Sequence, residues 1–295
     1  IKLHQAAMKI SILGTGLMGA ALTEGLINAS HDVIVYNRTI AKTEPLSALG
    51  AKVAATPVEA ITASDATIIM LSDGVALREM LLNDVTRVLL KGKKILNGST
   101  TTYSEIVEIA CVVAEYGGDL AEMTIMVSPD PLRNKQGRFM IGCKTIDESY
   151  WTEILLSIGE SVNRLGEVGE ASKAEAPMIF ASIFIPVTVA YAAAVAAKMN
   201  MPQELSERYI NMAIPTAEYV LPNMLARDYS KCMATVDSYA SAVTTAIKTA
   251  ESVGVPTKIL KDIQDLFRSA AERGFSQKDG SSIFEVLFEP NANDK

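Results

Sequence analysis

Lys9-Ile10-Ser11-Ile12-Leu13-Gly14-Thr15-Gly16-Leu17-Met18-Gly19 is the stretch that decides the fold of this chain. Lys9–Leu13 is a short apolar strand, and it runs straight into a Gly-x-Gly-x-x-Gly turn. The residues from Leu17 to Asn28 then carry helical spacing. A strand, a glycine turn and a helix in that order build a backbone cradle for a pyrophosphate. The first glycine permits the tight turn, the second lets the backbone approach the phosphates, and the third lets the helix pack closely on the strand. The start of the helix adds free N–H groups and the positive end of its dipole. Gly14, Thr15, Gly16, Leu17, Met18 and Gly19 are therefore the first residues expected to touch a dinucleotide.

Outward from that turn the first half of the chain alternates. Val33–Tyr36, Ala66–Leu71, Lys94–Leu96 and Met123–Val127 read as strands, with Lys52 and Val53 extended. Ala41–Leu49, Val75–Leu82 and Tyr103–Tyr116 read as helices, and Pro57–Ala63 as a short helix opened by Thr56. Such alternation implies βαβ units on a parallel sheet. After Gly169 the chain becomes Ala- and Met-rich with helical spacing, broken near Met201-Pro202, Leu221-Pro222 and Gly254-Val255-Pro256. The expected architecture is α/β. A Rossmann dinucleotide-binding domain over 8–168 precedes an all-helical domain for substrate binding and dimerisation over 169–295.

Composition narrows the function classes. The 295 residues suit two domains at roughly 150 each. With 34 acidic against 27 basic residues the net charge is −7, and no basic run offers a footprint for nucleic acid. Cys111, Cys143 and Cys232 are far apart, and His4 and His31 are the only histidines. No metal site is expected, a histidine base has little to work with, and the cysteine usage fits a reducing, cytoplasmic setting. Ile1–Ala7, ahead of Met8, is too short and polar for a signal peptide and reads as a frayed start. Ala176–Ala197 carries no charged residue and has the length of a membrane span. Its many alanines, two prolines, Ser182, Thr188 and Tyr191 favour a helix buried in protein, with no membrane. A helix without a polar face needs a protein partner, which here suggests a second subunit.

The second strand ends at Tyr36-Asn37-Arg38-Thr39. An NAD site would place an acidic residue there, about 20 residues past the glycines, but Asp32 comes before the strand. Asn37, Arg38 and Thr39 offer donors and a guanidinium, which suit the 2′-phosphate of NADPH. Leu71-Ser72-Asp73 and Asn97-Gly98-Ser99-Thr100 leave the carboxyl ends of two further strands, where ligands bind in open α/β sheets. Leu71, Ser72, Asp73, Asn97, Ser99 and Thr100 are thus expected cofactor contacts. Helix capping by Asp73, and by Ser99 or Thr100, is the alternative role.

These residues resemble the β-hydroxyacid dehydrogenase superfamily, which includes the imine reductases, over most of the chain from Met8. The hydroxyacid enzymes carry a D-A-P-V-S-G-G type motif that holds the substrate carboxylate. Its slot here is Glu122-Met-Thr-Ile-Met-Val-Ser-Pro129, so the serine falls on Met126 and no double glycine follows. Ile125–Pro129 instead resembles the I-M-V-x-P stretch of imine reductases. The hydroxyacid pattern G-x-G-x-x-x-K-x-x-x-N places its proton-donating lysine on Lys173, four residues past Gly169, but its asparagine on Pro177. Aligned without a gap on Gly166–Gly169, the lysine slot becomes Glu175 and the asparagine slot Ile179. The K-D-L pattern finds only Val236-Asp237-Ser238, and Gly274–Asp279 with Ile283–Leu287 and Pro290 resembles the imine-reductase ending. The imine reductase branch is the nearer one.

The resemblance implies an NADPH-dependent oxidoreductase that transfers hydride to a C=N bond, with Glu175, Lys173 or a bound water as the proton source. Met126, Met178, Phe180 and Tyr239 are the expected substrate pocket. It further implies a homodimer whose active site lies between one subunit's nucleotide domain and its partner's helical domain. Two alternatives stay open: a 3-hydroxyisobutyrate-type dehydrogenase using Lys173, and an NADP(H)-binding protein without turnover.

Overall fold

Side chains alternate along β1 (Lys9–Leu13), and each face finds a different core. Ile10 and Ile12 pack on one side with Leu22 and Leu26, while Leu13 packs on the other. Period-two alternation with both faces apolar is what a sheet covered by helices on both sides requires. A computed structural model describes residues 7–198, 200–213, 217–252 and 256–288 of the chain.

The sheet holds β1, β2 (Asp32–Tyr36), β3 (Lys52–Val53), β4 (Ala66–Ile69), β5 (Lys94–Asn97), β6 (Asp119–Ile125), β7 (Gly137–Gly142) and β8 (Gly159–Gly166). Their spatial order is β3-β2-β1-β4-β5-β6-β7-β8. The first six are parallel; β7 runs antiparallel to β6, and β8 parallel to β7. The helices between them are α1 (Leu17–Asn28), α2 (Glu44–Ala48), α3 (Pro57–Thr62), α4 (Gly74–Leu82), α5 (Tyr103–Glu115), α6 (Pro129–Arg133) and α7 (Glu148–Leu156). α1 and α7 cover one face with Leu22, Leu26, Trp151 and Ile154. α3, α4 and α5 cover the other with Ile61, Leu77, Leu81, Ile106 and Ile109.

Three details differ from the sequence reading. Ala41–Leu49 is not one helix: a 3-10 turn at Ile40–Lys42 precedes α2, which starts at Glu44. Pro45 stands in the first turn of α2, where its missing N–H costs nothing, so a longer helix through it is disfavoured. β6 begins at Asp119 and ends at Ile125, earlier than Met123–Val127. β7 and β8 add to the sheet; β8 is partly exposed and mixes Glu160, Asn163 and Arg164 with apolar residues, so no apolar run marks it.

The chain divides into two compact units, 1–175 and 176–295. α8 (Glu170–Lys198) carries the division within it, past the 168/169 boundary expected from composition. The second unit continues with α9 (Gln203–Ala213), α10 (Ala217–Ala226), α11 (Val236–Ser252), α12 (Lys258–Ala270) and α13 (Ile283–Phe288). Ile183, Val189, Ala190 and Ala193 of α8 are fully buried in a core with Leu221, Val243, Phe267 and Ile283. One side of the uncharged stretch is thus covered within its own unit, while Pro177, Met178 and Ser182 are exposed. The buried positions account for part of the run, so this core neither requires nor removes the second subunit expected from its lack of charge. Among the described residues, no helix is long and apolar enough to cross a membrane.

Candidate active site

Strand order reverses between β1 and β4, and both strands end in loops on the same edge of the sheet. Ligands of open α/β sheets bind in the crevice at such a switch point. The three glycines divide their roles sharply. A Cβ on Gly14, whose φ is +98°, would lie 2.1 Å from the Met70 carbonyl oxygen, and one on Gly19 would lie 2.0 Å from that of Gly14. Those two positions hold the turn against β4 and the helix against the turn. A Cβ on Gly16 would meet nothing within 4 Å. Gly16 thus faces open space, where a diphosphate would need the backbone bare. It gives α1 no side-chain cap, and the first helical bond runs from Ala20 N–H to the Gly16 carbonyl at 2.8 Å. The N–H groups of Leu17, Met18 and Gly19 come before that bond, so the helix lends them no acceptor. The cradle fits a dinucleotide pyrophosphate.

Asn37 braces this loop. Its Oδ1 accepts the Thr15 N–H at 3.1 Å and its Nδ2 donates to the Thr39 carbonyl at 2.9 Å. The Thr15 hydroxyl donates to the Lys42 carbonyl at 3.3 Å. Asn37 and Thr15 therefore shape the loop through their own polar atoms. Arg38 and Thr39 are exposed, and Arg38 has no ion-pair partner among the described residues. A free guanidinium at the end of β2 is available to an anion.

The next two loops are tied to each other. Leu71 N–H donates to Ser99 Oγ at 2.8 Å, and Asn97 exchanges two hydrogen bonds with the Ser99 backbone at 2.9 and 3.0 Å. Asp73 caps α4, its Oδ1 accepting the Ala76 N–H at 2.9 Å, and the Ser72 hydroxyl donates to Asp73 Oδ2 at 3.1 Å. The cap of α5 is neither Ser99 nor Thr100 but Thr102, in a capping box with Glu105.

The sharpest electrostatic feature lies on β6. Glu122 is buried in the strand, and its carboxylate accepts N–H bonds from Gly169 at 2.6 Å, Ala171 at 2.9 Å and Ser172 at 3.3 Å. The Ser172 hydroxyl donates to it as well, and Thr101 lies 3.3 Å from Ser172. Burial raises the Glu122 carboxyl above the ordinary carboxylate value, and these donors offset part of that rise. Glu175, one turn further along α8, is half-buried. Desolvation pushes its pKa up to about 7; the Thr124 hydroxyl opposes the shift and the Glu122 charge adds to it. A carboxyl near 7 is matched to proton transfer at neutral pH.

Lys173 is exposed and pairs with Glu170 at 2.8 Å, its ammonium 5.1 Å from the centre of the Tyr103 ring. That pair raises its pKa and keeps it protonated. Met126 follows β6 in the first unit, its N–H donating to the Arg138 carbonyl at 2.8 Å. Met178 is exposed on α8 in the second unit. Tyr239 stacks on Phe267 at 5.3 Å and lies where a Cβ of Gly280 would fall, at 2.2 Å. It is packed in the helical core, and burial pushes its hydroxyl up to about 12. The side chain of Phe180 lies outside the described residues. Sequence reasoning missed Glu122 as a site residue. The available signal was a lone carboxylate inside the apolar run Leu120-Ala121-Glu122-Met123.

Residues 9–166 match one protein family, the NAD binding domain of 6-phosphogluconate dehydrogenase. Glyoxylate/succinic semialdehyde reductase 2, chloroplastic, of Arabidopsis thaliana is 29% identical over 288 residues, 95% of this chain and 79% of that protein. A solved structure of 3-hydroxyisobutyrate dehydrogenase from Salmonella typhimurium is similar with a TM-score of 0.82 at 19% identity, covering 95% of this chain and 99% of that one. The imine reductase from Myxococcus stipitatus in complex with NADP+ has a TM-score of 0.66 at 22% identity, covering 95% and 100%. The two structural likenesses are likenesses of fold.

Proposed function

The chain belongs to the family of the 6-phosphogluconate dehydrogenase NAD binding domain, within the β-hydroxyacid dehydrogenase superfamily, and from that premise we propose that it is an NADPH-dependent reductase of C=N bonds. Nicotinamide-dependent oxidoreduction is common ground for that superfamily. The observation that carries the finer reading is the pair of carboxyls, Glu122 and Glu175, at the junction of β6 and α8. An iminium carbon is attached to a cationic nitrogen, which the negative charge held by this pair attracts. A substrate carboxylate would be repelled, and it would find the N-terminus of α8 already occupied by Glu122.

The bound nicotinamide supplies a hydride. This chain's residues hold the dinucleotide and manage the proton. Leu17 and Met18 N–H groups would hold the pyrophosphate, Gly16 would leave it room, and Arg38 would pair with the 2′-phosphate. Glu175, with its pKa near 7, protonates a neutral imine nitrogen or, once ionised, pairs with the iminium.

The Arabidopsis reductase favours a second reading, reduction of a short aldehyde acid with Lys173 as donor. Purified enzyme with NADPH should be assayed against a cyclic imine, glyoxylate and succinic semialdehyde, and with NADP+ against 3-hydroxyisobutyrate. Turnover with the imine above all others is the expected result. Faster turnover of either aldehyde acid, or of the hydroxyacid, would replace the proposal with the second reading.

A further inference from the structure

We propose that Glu122 is a positioning residue that sets the first turn of α8 against β6 and, by taking the negative charge itself, leaves Glu175 as the carboxyl that carries the proton. The inference rests on the reading of Glu175 as the donor. It starts from a match of two periodicities. Glu122 and Thr124 lie two apart on β6 and so share a face, about 6.6 Å apart along the strand. Ala171 and Glu175 lie one turn apart on α8, about 5.4 Å. Glu122 meets Gly169, Ala171 and Ser172, while Thr124 meets Glu175. Two steps of strand thus line up with one turn of helix.

The space for Glu122 is built into the neighbouring strand. Gly142 of β7 is its partner in register, and a Cβ there would lie 2.5 Å from Glu122 Oε1. Any side chain at 142 would push the carboxylate away from the helix start.

Donor number then decides which carboxyl ionises. Three N–H groups and one hydroxyl point at Glu122, and an ionised carboxylate accepts all four. Glu175 has the Thr124 hydroxyl. The other charges on this segment are spent elsewhere: Lys173 pairs with Glu170 at 2.8 Å, and Glu167 with Arg164 at 2.8 Å. Glu122 is the charge that bears on Glu175. Two like charges at close range in poorly solvated surroundings do not both ionise, so the better-solvated one takes the charge.

The test titrates Glu175 without any substrate. In full-length protein with 13C-labelled glutamate carboxyls, the Glu175 resonance is the one lost in Glu175→Gln. Its midpoint in the parent should lie near neutrality. In Glu122→Gln, which keeps the shape and removes the charge, it should fall by about one pH unit or more, a tenfold loss of proton affinity. Ser172→Ala, which removes one donor to Glu122, should lower it in the same direction by less. An unchanged midpoint in a folded Glu122→Gln protein overturns the inference. If that variant fails to fold, an unchanged midpoint in Ser172→Ala overturns it equally. A midpoint that moves as expected in a protein inert toward imines supports the inference and defeats the proposed activity alone.

Discussion

The α-carbon of Gly19 sits so close to Gly14 that a methyl group on it would lie 2.0 Å from the Gly14 carbonyl oxygen. Helix α1 therefore leans directly on the turn that precedes it, and the turn leans on β4 through Gly14 and Met70. Gly16, between them, takes no part in this packing. The glycine motif contains two packing positions and one that faces open space.

Gly19→Ala should accordingly destabilise the nucleotide-binding unit by about 1–3 kcal/mol through overpacking. Gly16→Ala should melt at the parent temperature and yet bind NADPH poorly. Thermal melts paired with fluorescence titration of NADPH separate the two effects. Equal melting losses for both variants would remove the distinction.

Arg38→Ala should weaken NADPH binding by roughly 1.5–3 kcal/mol, or about 10- to 150-fold, the worth of a hydrogen bond to a charged group. NADH binding should stay near its parent value, because NADH has no 2′-phosphate. Calorimetry with both cofactors checks this; equal losses would mean that Arg38 does not reach the phosphate.

Glu175→Gln should lower kcat by ~10²-fold while NADPH affinity survives, as expected for loss of a proton donor. Lys173→Met should have little effect, since the ammonium is exposed and paired with Glu170. Steady-state kinetics at saturating NADPH decide between them. A large loss in Lys173→Met with none in Glu175→Gln would transfer the role to the lysine.

His31 makes the fold acid-sensitive. Its Nδ1 accepts the Met8 N–H at 3.3 Å and its Nε2–H donates to Ser157 Oγ at 3.1 Å, a pairing only the neutral ring satisfies. Burial, against the opposing charge of Glu153, lowers its pKa from the ordinary 6.5. The unfolded chain therefore binds a proton that the folded one refuses. Stability from this residue is complete above pH 6.5 and is lost as pH falls through the folded value. Urea midpoints measured from pH 8 to 5 should decline in that window, and His31→Gln should flatten the decline.

Ala193→Glu should cost several kcal/mol by placing a charge in the helical core, because Ala193 is buried within its own unit. Loss of helical circular dichroism from that unit is the expected outcome. The variant does not test assembly. The homodimer expected from the family resemblance is tested by light scattering on the parent chain, where an active monomer would exclude it.

Local sequence determined the parts of this protein that depend on neighbours along the chain. The strand Lys9–Leu13, the glycine turn and α1 were all legible, as were the helix opened by Thr56 and the change of character after Gly169. Periodicity and turn chemistry act over a few residues, so a single chain displays them. Tertiary structure decided what depends on distant partners. Glu122 is one acidic residue among 34 acidic positions until the fold brings the start of α8, 47 residues later, onto its carboxylate. β8 has no apolar run of its own and becomes a strand by pairing with β7. The uncharged run 176–197 reads as a helix buried in protein without saying by what, and only the packing of α10, α11, α12 and α13 makes Ile183, Val189, Ala190 and Ala193 core. Pairing partners, desolvation and burial are properties of the space around a residue, and residues far apart in the chain create that space.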